Sequence, residues 1–186
     1  NDKDITLWTP KKDYGPANKL LGALEYAESH PAIEHIITFD DDYYYDDREF
    51  VVYMLDYARK LPNCALTIAG IKLEHYPFRK GNGLKYRNQN CLVHAPAGFR
   101  GVLYPAQAFR DKGLIFEFSA KLPEGIFDDD DAYFGIVLSI MKIPLYSIPN
   151  KPGVMGKQAK GAGDSAVAEK VRKSRIDNEM EIFQYA

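Results

Sequence analysis

Apolar positions along this chain fall into helical stripes separated by short, nearly continuous runs. Pro16 suits a first helical turn, and Ala17, Leu20, Leu21, Leu24 and Ala27 recur at helical spacing before Pro31. Ile36-Ile37-Thr38-Phe39 is almost wholly apolar, the pattern of a strand covered on both faces. A second helix is expected to start near Asp46 or Asp47, turn Phe50, Val51, Met54, Leu55 and Ala58 inward, and close with Arg59-Lys60 before Pro62. Ala65 to Leu73 is the next buried strand candidate, and Ile5 to Trp8 is a short β-prone run. Strands alternating with helices predict an α/β fold, with a central, mostly parallel mixed sheet flanked by helices.

The pattern breaks between Glu74 and Ala97, where Gly, Asn and basic residues predict loops or short hairpins. Val102-Leu103-Tyr104 reads as a brief strand ending at Pro105. Asp128 to Asp131 then precede a helical stripe of Tyr133, Ile136, Val137, Ile140 and Met141, stopped by Pro144, and Leu145 to Ile148 reads as a late strand. Residues 151–163, rich in Gly, Lys and Ala, are expected to be a mobile loop, and 165–183 a C-terminal helix. No boundary is expected inside 1–186, so the chain reads as a single domain.

Charge and composition narrow the function. A net charge of -2 leaves no basic face for a polyanion, so no nucleic-acid partner is expected. Cys64 and Cys91 are too few for a disulfide framework or a zinc cluster. No apolar run approaches the roughly 18 residues that span a bilayer, and Asn1 to Asp4 do not read as a signal peptide. The expectation is a soluble protein of the cytoplasm, the host cytoplasm if it is viral.

Two acidic clusters carry the candidate chemistry. Asp40-Asp41-Asp42 follows a strand, and ligands of open α/β sheets bind beyond the carboxyl ends of strands. On extended backbone Asp40 and Asp42 point the same way, and a divalent cation such as Mn²⁺ or Mg²⁺ would relieve their repulsion. The alternative is a solvated turn that favours the following helix. In the second cluster, helix capping accounts for one or two of Asp128 to Asp131. The surplus leaves room for a general base on a hydroxyl.

Taken in order, four stretches resemble the GT-A nucleotide-sugar glycosyltransferases, in particular small bacterial and viral transferases of capsule or capsid glycans. They are Tyr14-Gly15-Pro16-Ala17-Asn18-Lys19, Ile36 to Tyr45 with its Asp-x-Asp, Gly98-Phe99-Arg100-Gly101-Val102-Leu103-Tyr104-Pro105, and the acidic run beside Ala132-Tyr133-Phe134. The resemblance spans roughly residues 5 to 149 and implies a GT-A-like domain. It implies a UDP-sugar or similar donor, a glycan or glycoprotein acceptor and bound Mn²⁺ or Mg²⁺. It also implies Asp40 and Asp42 as metal ligands and Lys19, Asp40, Asp41 and Asp42 at the donor. Asp131 with Asp130 beside it would be catalytic, and Gly98, Gly101 and Tyr104 would line the sugar and acceptor pocket. The strand and loop that grip the nucleotide base in that family have no counterpart before Ile5, and no histidine in the C-terminal third offers a further ligand.

Other residues keep two readings each. Lys157 and Lys160 could close over a diphosphate or belong to an ordinary loop, and Tyr43 to Tyr45 could stack on a sugar or pack beneath it. Trp8 is expected in the core. Two rival functions use the same carboxylates: a metal-dependent phosphohydrolase or phosphodiesterase with ions about 4 Å apart, and a Ca²⁺-holding module, which lacks the Gly and terminal Glu of an EF-hand loop.

Overall fold

In a computed structural model of the chain, the described residues are 5–41, 43–44, 49–73, 83–87, 89–109, 112–121, 130–150 and 157–158. A short turn at Gly15–Ala17 leads into α1 (Asn18–Glu28), followed by β1 (His35–Thr38), β2 (Tyr43–Tyr44) and α2 (Glu49–Lys60). Next come β3 (Ala65–Thr67), β4 (Ala69–Leu73), β5 (Gly83–Arg87), β6 (Cys91–Leu92), β7 (Ala95–Pro96) and β8 (Val102–Pro105). The chain continues through α3 (Lys112–Lys121), α4 (Asp130–Ile140), β9 (Leu145–Ser147) and β10 (Lys157–Gln158). The expected helix starts at Asp46 and Asp47, the 165–183 helix and Asp128 and Asp129 lie outside the described residues.

The fold is mixed α/β, with a mixed sheet between helices. Its central sheet has the order β1-β8-β3-β9-β6. Side chains alternate across it as strand geometry requires. Ile36, Val102, Tyr104, Ala65 and Leu145 join the core that also holds Leu20, Leu21 and Leu24 of α1 and Tyr133, Phe134 and Val137 of α4. Leu66 and Leu103 point to the opposite face and pack with Phe50, Met54 and Ala58 of α2. Two compact apolar layers therefore clamp the sheet.

The expected mostly parallel sheet is corrected. β8 lies antiparallel between β1 and β3, pairing Ile36 with Tyr104 and Leu66 with Leu103. β6 and β9 are also antiparallel, which leaves β3 with β9 as the parallel ladder of this sheet. The crossover through α2 does make β1 and β3 run in the same direction, but β8 enters between them. Alternation in sequence reports strand direction and does not report which strands are neighbours.

Ala65 to Leu73 is likewise two strands instead of one. At Ile68 the chain passes from the central sheet to a second sheet of order β5-β4-β7. The buried Thr67 hydroxyl donates to the Ala69 carbonyl at 2.7 Å, satisfying backbone where the ladder breaks. Ile5 to Trp8 forms no strand: Ile5, Leu7 and Trp8 are exposed, and the Trp8 ring meets Tyr26 edge-on at 5.4 Å. Residues 157–158, expected in a mobile loop, pair with Tyr43–Tyr44 as β10 on β2. The rest of 151–163 lies outside the described residues.

Gly101 sets the path into β8. Its φ of +84° and ψ of 136° belong to glycine's territory, and a Cβ there would stand 2.8 Å from the Phe50 ring. Gly101→Ala should therefore lower stability by about 1–3 kcal/mol from backbone conformation alone, with the ring contact adding to it. Urea denaturation checks this, and an unchanged midpoint would contradict it.

Candidate functional site

The site begins with the turn that launches α1. The Asp13 carboxylate accepts from the Gly15 N–H at 2.8 Å and from the Asn18 side-chain amide at 2.7 Å. The Asn18 side-chain oxygen in turn accepts from the Tyr14 N–H. This closed set of bonds fixes how the Tyr14-Gly15-Pro16 turn enters the helix, and so where Lys19, one residue into α1, can reach.

Lys19 reaches across the end of the central sheet. Its Nζ lies 2.6 Å from Asp40 Oδ1 and 2.5 Å from Asp130 Oδ2. Asp40 stands just past the carboxyl end of β1 and Asp130 begins α4, so one ammonium joins two elements remote in sequence. All three side chains keep a minority of their surface exposed, 21% for Lys19, 28% for Asp40 and 17% for Asp130. Burial alone would lower the Lys19 pKa. The charges and hydrogen bonds of Asp130 and Asp40 outweigh it, and the net shift is upward.

Asp131 completes the cluster from the same helix start. Its Oδ1 accepts the Gly98 N–H at 2.7 Å. A Cβ on residue 98 would lie 2.5 Å from that oxygen and 3.5 Å from Lys19 Nζ, so glycine is what lets backbone close on the carboxylate. Both aspartates sit in the first turn of α4, where negative charge meets the positive end of the helix dipole. Tyr133, two residues on, anchors that helix. Ser119 donates to the Ile115 carbonyl, and the Tyr133 hydroxyl therefore donates to Ser119.

Lys19, Asp40, Asp130, Asp131 and Gly98 are thus brought together. Gly101 is not among them, because its space is taken up by Phe50 and Phe39 behind the strand. Tyr104, expected to line a sugar pocket, is fully buried, since its β8 face turns into the core. Its phenol pKa is raised well above the ordinary value, by burial first and then by the Asp131 and Asp130 charges. The Tyr104 and Thr38 hydroxyls face each other in a contact that falls short of full hydrogen-bond geometry, and neither has another partner. Asp41 is exposed, and Asp42 and Lys160 lie outside the described residues. The β10 backbone sets Lys157 opposite Tyr44, close in sequence to the acidic run.

Carboxylate oxygens of Asp40 and Asp130 converge on the Lys19 ammonium, and carboxylates of this kind are the hard oxygen donors that Mg²⁺ or Mn²⁺ would take. Among the described residues no group of three or more His, Cys, Asp or Glu is placed to hold a metal ion. Beside the cluster, sharing Lys19 as a wall, runs a groove of about 660 Å³ lined also by Leu7, Trp8, Pro10, Ala23 and Tyr26. Sequence reasoning missed this groove because Trp8 was placed in the core. Its one legible signal was an aromatic residue just ahead of the turn into α1.

No helix among the described residues is long and apolar enough to cross a membrane. No protein-family model matches the chain, and no curated protein matches it.

The buried floor generates a stability prediction. Tyr104 and Tyr133 both have raised pKa values, Tyr133 pushed up to about 12, against an ordinary 10.0. Above pH 10 the unfolded chain ionises these phenols while the folded protein keeps them protonated. Stability is therefore full below about pH 10 and falls as pH rises beyond it. Tyr104→Phe removes a buried hydroxyl that completes no hydrogen bond, so at pH 7 it should be neutral or stabilising, within about 1 kcal/mol, and should flatten the alkaline fall. Thermal unfolding from pH 7 to 11 measures both, and a strongly destabilised Tyr104→Phe would show that the hydroxyl has a partner.

Proposed function

We propose that the chain is a metal-dependent, GT-A-like glycosyltransferase. It moves a sugar from a nucleotide diphosphate, UDP-sugar first among them, to a hydroxyl of a glycan or glycoprotein acceptor. The observation that carries this reading is the meeting of Lys19, Asp40, Asp130 and Asp131 beyond the carboxyl end of β1, from three separate segments. That is where ligands bind open α/β sheets.

The roles divide by position. Lys19 offers an ammonium to the donor diphosphate, while the turn closed by Asp13 and Asn18 holds its helix in place. Mn²⁺ or Mg²⁺ held by Asp40 and Asp42 would supply charge neutralisation at the departing diphosphate. Asp131, oriented by the Gly98 N–H, is the carboxylate assigned to take the proton. In an inverting transfer, the acceptor O–H gives its proton to Asp131 as its oxygen bonds to the anomeric carbon. The bond from that carbon to the phosphate oxygen breaks, and the nucleoside diphosphate leaves with its electron pair. Asp130 stands beside Asp131 in the same helical turn and pairs with Lys19.

Calorimetric titration of UDP tests the donor half. Binding should appear with Mn²⁺, vanish in EDTA and be lost in Asp42→Ala; no binding of UDP, GDP or dTDP under either condition would sink the reading. For the chemical step, Asp131→Asn should lower kcat by about 10²–10⁴-fold, the range of a general base, with the donor KM little changed. Unchanged turnover in that variant would remove the base assignment. Phosphate release from simple esters without sugar transfer would replace the transferase with a phosphohydrolase.

A further inference from the structure

Lys19 stands where the two acidic segments meet, and three features of that position go beyond a phosphate contact. Its Nζ lies within 2.6 Å of carboxylate oxygens from β1's end and α4's start, so a positive charge already fills the point on which they converge. The floor beneath holds two buried hydroxyls, Thr38 and Tyr104, that complete no hydrogen bond. Lys19 is also a wall of the groove beside Trp8 and Tyr26, so its flexible stem has open space on the other side.

We propose that Lys19 is the resident cation of this cradle, and that a divalent ion bound through Asp40 and Asp130 displaces it toward the groove. The inference shares Asp40 with the metal site of the function proposed above, adds Asp130 as a carboxylate on the same ion, and is independent of sugar transfer. An ammonium and a divalent ion cannot share two carboxylate oxygens at contact distance without strong like-charge repulsion in a partly dry site. One leaves as the other binds. Lys19 then acts as a positioning residue in two states: it keeps Asp40 and Asp130 together before metal arrives, and it is released toward the groove afterward.

Mn²⁺ titrations followed by electron paramagnetic resonance of the free ion test the exchange in wild type, Lys19→Met and Lys19→Arg. Lys19→Met should bind Mn²⁺ about tenfold more tightly than wild type, or better, because the competing charge is gone. Lys19→Arg should bind no more tightly than wild type. Equal or weaker binding by folded Lys19→Met overturns the proposal, as does the absence of Mn²⁺ binding in all three proteins. A second arm uses the unaltered protein, so it decides the matter if Lys19→Met does not fold. Amine-reactive labelling read by mass spectrometry should modify Lys19 several-fold faster in Mg²⁺ than in EDTA, and a rate indifferent to Mg²⁺ overturns the exchange. Failure of UDP binding with both results intact would sink the transferase reading and leave the exchange standing.

Discussion

Carboxylates from distant parts of a chain do not gather at one edge of a sheet unless something offsets their repulsion. Here the offset is the Lys19 ammonium, held between Asp40 and Asp130, together with the Gly98 N–H on Asp131. Much of the local architecture follows from that requirement. α1 must start where its first turn can reach β1, and the Asp13–Asn18 clamp fixes that start. α4 must begin at the cluster, so that its dipole favours the two aspartates it presents. The backbone near residue 98 must come close enough to donate, and only a glycine leaves the room.

The sheet makes this meeting possible because its two faces do different work. One face packs α1 and α4, the helices that carry Lys19, Asp130 and Asp131, against Ile36, Val102 and Tyr104. The other packs α2 and contributes no residue to the cluster. β8 links the two: its preceding turn supplies Gly98, and its own side chains alternate between the two cores. Inserting β8 antiparallel between β1 and β3 brings the Gly98 turn to the carboxyl end of β1, because an antiparallel neighbour starts where β1 stops. The pairing of Thr38 with Val102 at that end states the same fact in register.

The legible part of this fold was the part encoded locally. Helical spacing gave α1, α2 and α4, and the apolar run at Ile36 gave β1 with Asp40 at its end. The acidic run before Tyr133 marked the start of α4 for the same reason. What sequence could not carry was adjacency. Nothing in Val102 to Pro105 says that it lies between β1 and β3, and nothing in Ala65 to Leu73 announces a change of sheet at Ile68. α3 was missed because its apolar residues follow no clean stripe. The burial of Tyr104 is hidden for a related reason: a strand residue's face depends on its partners, which the local sequence does not name. Lys19 was chosen from a resemblance, while its contact with both acidic segments is a long-range fact that no local pattern encodes.

Some of the arrangement works against stability. Thr38 and Tyr104 bury hydroxyls without completed hydrogen bonds, and such groups lose hydration without recompense. Asp130 and Asp131 add adjacent like charges a short way above them. A chain selected for stability alone would have Val and Phe on that floor and fewer acids at that helix start. Local choices that contradict the surrounding consistency tend to gather at functional sites. Here they gather at the point where Asp40, Lys19 and the first turn of α4 meet, while the cores on either side of the sheet obey ordinary packing. The contrast between a consistent interior and one inconsistent corner is an argument for chemistry at that corner that does not depend on any motif.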